Sequence, residues 1–255
     1  MESLSDLYPH YIEFRHVYKT FDEPVLVDVS FHVDDGETLA IIGRSGVGKS
    51  VSLNHIMGFL KPDSGRVIVA HQDITSMSES ELRQIRRKVT MVFQSGALFD
   101  SLTVGENILF SLELRDDYDE SNKIDVMRGL LRMVGLEDRE NDYPSDLSTG
   151  HRRAVAIARA LAAQPECILY DEPTTMVDPL MSDLMVSLML RLKQQLRLTS
   201  VVVTHDIDLM RRVADRVVVL FEGRVIYSGA AGEIDRCTHP HVREFLAMDR
   251  VDLTG

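Results

Sequence analysis

Apolar and polar residues alternate along two early stretches, 11–18 and 25–33. A two-residue period turns one face of a strand to the core, so both stretches predict β-strands. Asp34-Asp35-Gly36 closes the pair with a turn. The next apolar run, Leu39-Ala40-Ile41-Ile42, has no polar partner positions and reads as a parallel strand buried on both faces. Helical spacing then alternates with further strands. Helices are predicted over 51–60, 80–88, 102–114, 122–134, 152–163, 181–196 and 208–214. Strands are predicted over 66–70, 89–93, 167–170, 199–203, 216–221 and 224–227. Glu222-Gly223 between the last two is a two-residue hairpin signal. After residue 231 the chain is mixed and polar, with one short amphipathic piece at 242–248. Strands alternating with helices mean an α/β fold with a mostly parallel core sheet. The first two strands predict an antiparallel β flap beside it, and residues 95–164 an inserted helical unit.

Composition narrows the partners. The chain has 255 residues, 44% of them hydrophobic and 27% charged, with a net charge of −12. That length supports one large domain or two small ones. The acidic balance argues against nucleic acid, which needs a basic face, and against a general attraction to anionic lipid headgroups. Two cysteines, Cys167 and Cys237, make no disulfide framework and fit a reducing compartment. The first ten residues lack the basic and apolar regions of a secretory signal, and no run of 18 apolar residues exists to span a membrane.

The chemistry centres on Gly43-Arg44-Ser45-Gly46-Val47-Gly48-Lys49-Ser50, which fits the phosphate-binding loop G-x-x-x-x-G-K-[ST]. It lies between a predicted buried strand and a predicted helix, the context the pattern needs. Glycines allow backbone N–H groups to close around phosphate oxygens, and the helix N-terminus adds partial positive charge. Lys49 would reach the β- and γ-phosphates of a nucleotide, and the Ser50 hydroxyl would hold Mg²⁺. A second piece is the run from Cys167 to Glu172, where Asp171 ends a buried strand and Glu172 follows. Asp171 is placed to hold a Mg²⁺ shell and Glu172 to polarise an attacking water; the same residues also suit a plain acidic turn. Gln94 and His205 each follow a strand, as a metal or phosphate contact or as ordinary loop groups. Phe21, between the first two strands, would stack on a purine or plug the gap between strands. His239-Pro240-His241 offers only two metal ligands, which do not make a site.

The order Phe21, residues 43–50, Gln94, Leu147-Ser148-Thr149-Gly150-His151, residues 167–172, Asp178 and His205 resembles the ATP-binding subunits of ABC transporters, over roughly residues 11–230. The resemblance implies a core of residues 11–94 and 165–230, a helical signature subdomain at 95–164 and a tail at 231–255. It implies Mg-dependent ATP hydrolysis. Phe21 would stack on adenine; Gly43, Ser45, Gly46, Val47, Gly48, Lys49, Ser50 and Val51 would bind phosphates. Ser50, Gln94 and Asp171 would hold the metal, with Gln94 also linking it to the membrane partner. Glu172, His205 and Gln94 would act in catalysis. Ser148 and Gly150 of the signature and Asp178 of the dimer-crossing loop would face the ATP of a second, identical subunit. The partner is a membrane-embedded permease, which would hold the chain on the inner face of the cytoplasmic membrane. The signature departs from the usual L-S-G-G-Q: Thr149 stands at the first glycine and His151 at the glutamine. Thr149 is tolerated there if its φ is negative and strained if positive.

A narrower resemblance lies in the segment from Phe93 to Ile108. Gly96-Ala97-Leu98-Phe99-Asp100-Ser101-Leu102-Thr103-Val104 looks like the ATPases of the Mla and Mce lipid-transport systems, as do Lys49-Ser50-Val51 and Val242-Arg243-Glu244-Phe245-Leu246. It implies an MCE-domain lipid-binding partner and transport of phospholipid or another apolar lipid; the alternatives are the ATPase of an ordinary solute ABC transporter, or a nucleotide-gated scaffold whose atypical signature hydrolyses weakly. The apolar Ala97, Leu98 and Phe99 suit either a groove for a partner helix or packing under the helical unit. Replacing Lys49 with Ala is expected to weaken ATP binding at least about tenfold, the cost of losing one charge-assisted contact. Titration of the variant with ATP tests this, and a smaller loss would contradict the phosphate-loop assignment.

Overall fold

A computed structural model describes residues 7–115 and 119–251. The alternating stretches form β1 (Ile12–Thr20) and β2 (Pro24–Val33), which pair antiparallel. After β3 (Thr38–Ile42) and α1 (Lys49–Ile56), the chain returns along the other edge of β1 as β4 (Ser64–Val69) and the two-residue β5 (Gln72–Asp73). The flap is therefore a four-stranded sheet of order β2-β1-β4-β5. α1 ends sooner than its apolar spacing suggests. Gly58 takes φ +66°, and a Cβ there would lie 2.5 Å from Leu82, so the chain turns where only glycine fits.

The second sheet contains β3, β6 (Val89–Val92), β7 (Cys167–Asp171), β8 (Thr199–Thr204), β9 (Arg216–Phe221) and β10 (Arg224–Ala230). Its order is β10-β9-β3-β8-β7-β6. Every pairing is parallel except β9 with β10, which Glu222 and Gly223 join with φ of +49° and +72°. Two positive φ values give the hairpin the twist of its strands. The register sets Ile42 beside Thr204 and Asp171 beside Val203, so β3, β7 and β8 end together. Ligands of open α/β sheets collect at such an edge.

The two-residue period decides which layer each strand residue joins. On β3, Leu39 and Ile41 pack with the four-stranded sheet, α1 and α2 (Glu79–Lys88). Ala40 and Ile42 pack on the opposite side, against α7 (Ile207–Val213) and α8 (Pro240–Val251). The helical unit contributes α3 (Val104–Glu113), α4 (Lys123–Met133) and α5 (Thr149–Ala162), which share a core with α6 (Pro179–Leu196). α5 starts three residues before the expected position, because Ser148 Oγ accepts the His151 N–H at 3.2 Å and caps it. The tail does not hang free: Ile234, Val242 and Leu246 are buried in the α7 core. Both cysteines are free. No helix among the described residues is long and apolar enough to cross a membrane.

One buried polar side chain shapes the segment after Gln94. Asn107 on α3 is fully buried. It accepts the Phe99 N–H and donates to the carbonyls of Phe99, Leu102 and Thr103. Leu98 packs against the helical core, while Phe99 stays exposed with its ring edge-on to Phe110 at 5.0 Å. Asn107→Leu strands those backbone groups and is expected to destabilise the protein by about 2 kcal/mol. Urea unfolding checks this, as a lower midpoint at unchanged slope.

Candidate functional site

The loop leaving β3 curls back before α1 because two glycines meet backbone and side chains closely. A Cβ on Gly43 would sit 2.4 Å from the Leu220 carbonyl oxygen, and one on Gly48 (φ +104°) would sit 2.5 Å from Leu26. Lys49 opens α1 and is only 7% exposed. Its Nζ donates to the carbonyls of Gly43 (2.8 Å) and Arg44 (3.1 Å) and lies 3.6 Å from Glu172 Oε1. Ser50 Oγ donates to Asp171 Oδ1 at 3.1 Å. The shared strand edge thus brings the loop's cation and hydroxyl onto the two carboxylates that end β7.

Glu172 is held from several sides. Its N–H donates to the Val203 carbonyl at 2.9 Å, with φ +48° at Glu172 itself. Its Oε2 accepts from Thr175 Oγ1 at 3.0 Å and lies 2.8 Å from His205 Nδ1, a donor when that nitrogen carries the proton. A cavity of about 320 Å³ opens over these groups, lined by Gly46, Lys49, Ser50, Gln94, Glu172 and His205 among others. Ser45, Gly48 and Val51 also face it, while Val47 packs into the four-stranded-sheet core.

The ABC transporter family model matches residues 26–175. The chain belongs to the ABC transporter family. It is 36% identical to a methionine import ATP-binding protein of Pseudomonas entomophila, over 93% of this chain and 73% of the relative. A methionine import ATP-binding protein of Staphylococcus haemolyticus is 39% identical over 92% of this chain and 70% of its own length. Among solved structures, the dimeric bacterial ABC transporter cassette MJ0796 superposes with a TM-score of 0.79 at 34% identity, covering 86% of this chain and 98% of that one. The same cassette in a post-hydrolysis state with ADP and phosphate gives 0.78 at 33% identity. The chain is thus an ATP-hydrolysing cassette coupled to transport. These relatives are methionine importers, so neither the narrower Mla and Mce expectation nor an MCE-domain partner finds support among them.

The cassette's remaining sequence-predicted groups do not join the cavity. Phe21 is 54% exposed at the turn between β1 and β2, so it is no plug between strands; the Lys19 ammonium lies 5.5 Å from its ring. Ser148 caps α5 and Asp178 caps α6 by accepting the Met181 N–H at 3.0 Å. A Cβ on Gly150 would lie 2.7 Å from Met181 Cβ, which excludes alanine and joins the two caps in one patch. Thr149 is the first residue of α5. Its helical φ is negative, so the missing glycine costs no backbone strain. Met176 and Leu180 beside this patch are 87% and 78% exposed.

One contact escaped the sequence reading. Arg153, 3% exposed on α5, donates to the carbonyls of Gln94 (3.2 Å), Pro173 and Thr175. It ties the helical unit to the segments on both sides of the cavity. Its place directly before the apolar run Ala154-Val155-Ala156-Ile157-Ala158 was the available signal. His10, His32 and Asp34 also cluster, but the two rings stack at 3.9 Å with planes 24° apart. Near-parallel rings share no in-plane point at bonding distance, which a metal would need.

Two charges in the cassette lack full compensation. Burial pushes the Lys49 ammonium down from its ordinary pKa, against the pull of Glu172. Burial pushes the Asp171 carboxyl up, against the Ser50 hydrogen bond. An anion at Lys49 and a divalent cation at Ser50 and Asp171 would relieve both, so Mg²⁺ and a phosphate chain fit the residues present. A raised carboxyl pKa means the native state holds its proton longer than the unfolded chain. Stability is then full below the unfolded pKa and falls as pH rises through the folded one. Asp171→Asn removes that fall while keeping an acceptor for Ser50. In thermal melts without nucleotide or metal, the variant is expected to exceed wild type at pH 7 and to converge with it near pH 4.

Proposed function

We propose that this cassette drives a solute importer, docked through a separate permease on the cytoplasmic face of the membrane. The import of a small polar solute is supported by the methionine-import relatives, whose similarity runs through nearly the whole chain. The observation that carries the chemistry is Glu172, half-buried between Lys49 and His205 at the mouth of a phosphate loop. The loop N–H groups and Lys49 hold the phosphates. Ser50, Asp171 and Gln94 would hold Mg²⁺, which would supply positive charge to neutralise the phosphate oxygens. Glu172 takes a proton from, or orients, the attacking water, and His205 keeps its carboxylate aimed. Phe21 offers its exposed face to the adenine.

A single chain holds half of a nucleotide site. Ser148, Gly150 and Asp178 form a patch away from the cavity, flanked by exposed apolar Met176 and Leu180. Two identical chains placed head to tail give each cavity the other chain's α5 N-terminus, which favours an anion. The dimeric cassettes among the similar structures support this arrangement.

A lipid-transport reading retains one specific observation: the segment 96–104, whose Phe99 is exposed beside exposed Phe110. Purification of the chain with its membrane partners in mild detergent separates the two. A permease with a solute-binding protein and no lipid above background supports the importer; an MCE-domain protein with co-purifying phospholipid replaces it. For the chemistry, Glu172→Gln is expected to keep ATP affinity within about threefold and to lower Mg-dependent hydrolysis at least about 100-fold. Phosphate-release and binding assays on one preparation check both. Unchanged hydrolysis would contradict the role of Glu172.

A further inference from the structure

The phosphate loop is also anchored from behind, on the side away from the nucleotide. Arg44, its second residue, donates through Nη2 to Glu244 Oε1 on α8 at 2.7 Å. Helix α8 is itself fixed. Val242 and Leu246 are buried against Ala40, Ile42, Val217 and Val219, and the His241 ring stacks on Phe221 at 3.9 Å. On the loop's other flank, the Leu220 carbonyl fills the space beside Gly43. Arg44 matters to the site through its backbone, because its carbonyl accepts the Lys49 ammonium. A continuous path therefore runs from α8 through Glu244 and Arg44 to the cation that meets phosphate. A Cβ on Gly46 (φ +80°), by contrast, would meet nothing within 4 Å.

We infer that the carboxy-terminal helix α8 sets the conformation of the phosphate loop, with Glu244 as a positioning residue acting through Arg44. Glu244 lies in a helix behind the loop and touches none of Gln94, Asp171, Glu172 or His205 in the structure. Its effect falls on how readily the loop accepts a nucleotide, and the chemical step is untouched. A loop already held in shape loses less freedom on binding, so its ligand binds more tightly. Both partners are half-exposed, which limits a single ion pair of this kind to about fivefold in an equilibrium constant. The brace tunes affinity and does not create it.

The test is steady-state ATP hydrolysis by the full chain. Glu244→Gln is expected to raise the KM for ATP two- to fivefold with kcat within about 1.5-fold. Arg44→Glu should raise KM at least as much. The exchange Arg44→Glu with Glu244→Arg should bring KM back toward wild type, as coupling between two charges requires. Raising the salt concentration should erode the advantage of wild type over Glu244→Gln. An unchanged KM in Glu244→Gln would overturn the inference, whether or not its melting temperature falls, since a merely structural pair alters stability alone. An exchange variant no better than the worse single variant would also overturn it. Failure of the wild-type chain to bind ATP would instead refute the nucleotide site itself.

Discussion

A lysine ammonium withdrawn from water at the end of β3 is the constraint on which the rest depends. Burying Lys49 is unfavourable unless acceptors surround it. The loop supplies two carbonyls, those of Gly43 and Arg44, and β7 supplies the carboxylate of Glu172. Each demands something of the fold. Carbonyls pointing inward need the tight curl that Gly43 and Gly48 permit. A carboxylate at that height needs β7 to end level with β3, which the parallel register through β8 provides. Glu172 then needs its own donors, and Thr175 and His205 supply them from the next turn and the next strand end.

The arrangement sets burial against charge at two groups. Burial disfavours the charged form of Lys49, and that of Asp171, bonded to Ser50, with the opposite sign. The two are compensated only in part by one another's neighbours, which makes the site receptive to an anion and a cation together. The helical unit reports on this state through Arg153, which grips the carbonyls of Gln94, Pro173 and Thr175. A shift of the backbone on either side of the cavity must move or break those bonds. That gives the site a mechanical connection to the helical unit.

Much of this was legible in the residues alone. Strict alternation on β1 and β2, apolar runs on β3, β7 and β8, and the spacing of residues 43–50 located the sheet, its edge and the phosphate loop. The gathering of Gln94, Asp171, Glu172 and His205 followed from their positions at strand ends. What stayed hidden depends on contacts distant in sequence. Nothing local shows that β4 and β5 join the flap, that Glu244 meets Arg44 across 200 residues, or that Arg153 spans three backbone carbonyls. Helix ends moved wherever a cap outweighed periodicity, as Ser148 does for α5 and Gly58 for α1. The substrate reading leaned on a loop segment that suits several partners, and whole-chain similarity to methionine importers outweighs it.

The opposed burial of Lys49 and Asp171 is expected to make Mg²⁺ and the nucleotide bind as one unit. Thermal melts with a non-hydrolysable ATP analogue in chelator, with Mg²⁺ alone, and with both test it most directly, because ligands that bind only the folded state raise the melting temperature according to their affinity. A shift with both together that exceeds the sum of the separate shifts is the expected result. Simple additivity, or a full shift from the analogue in chelator, would contradict it.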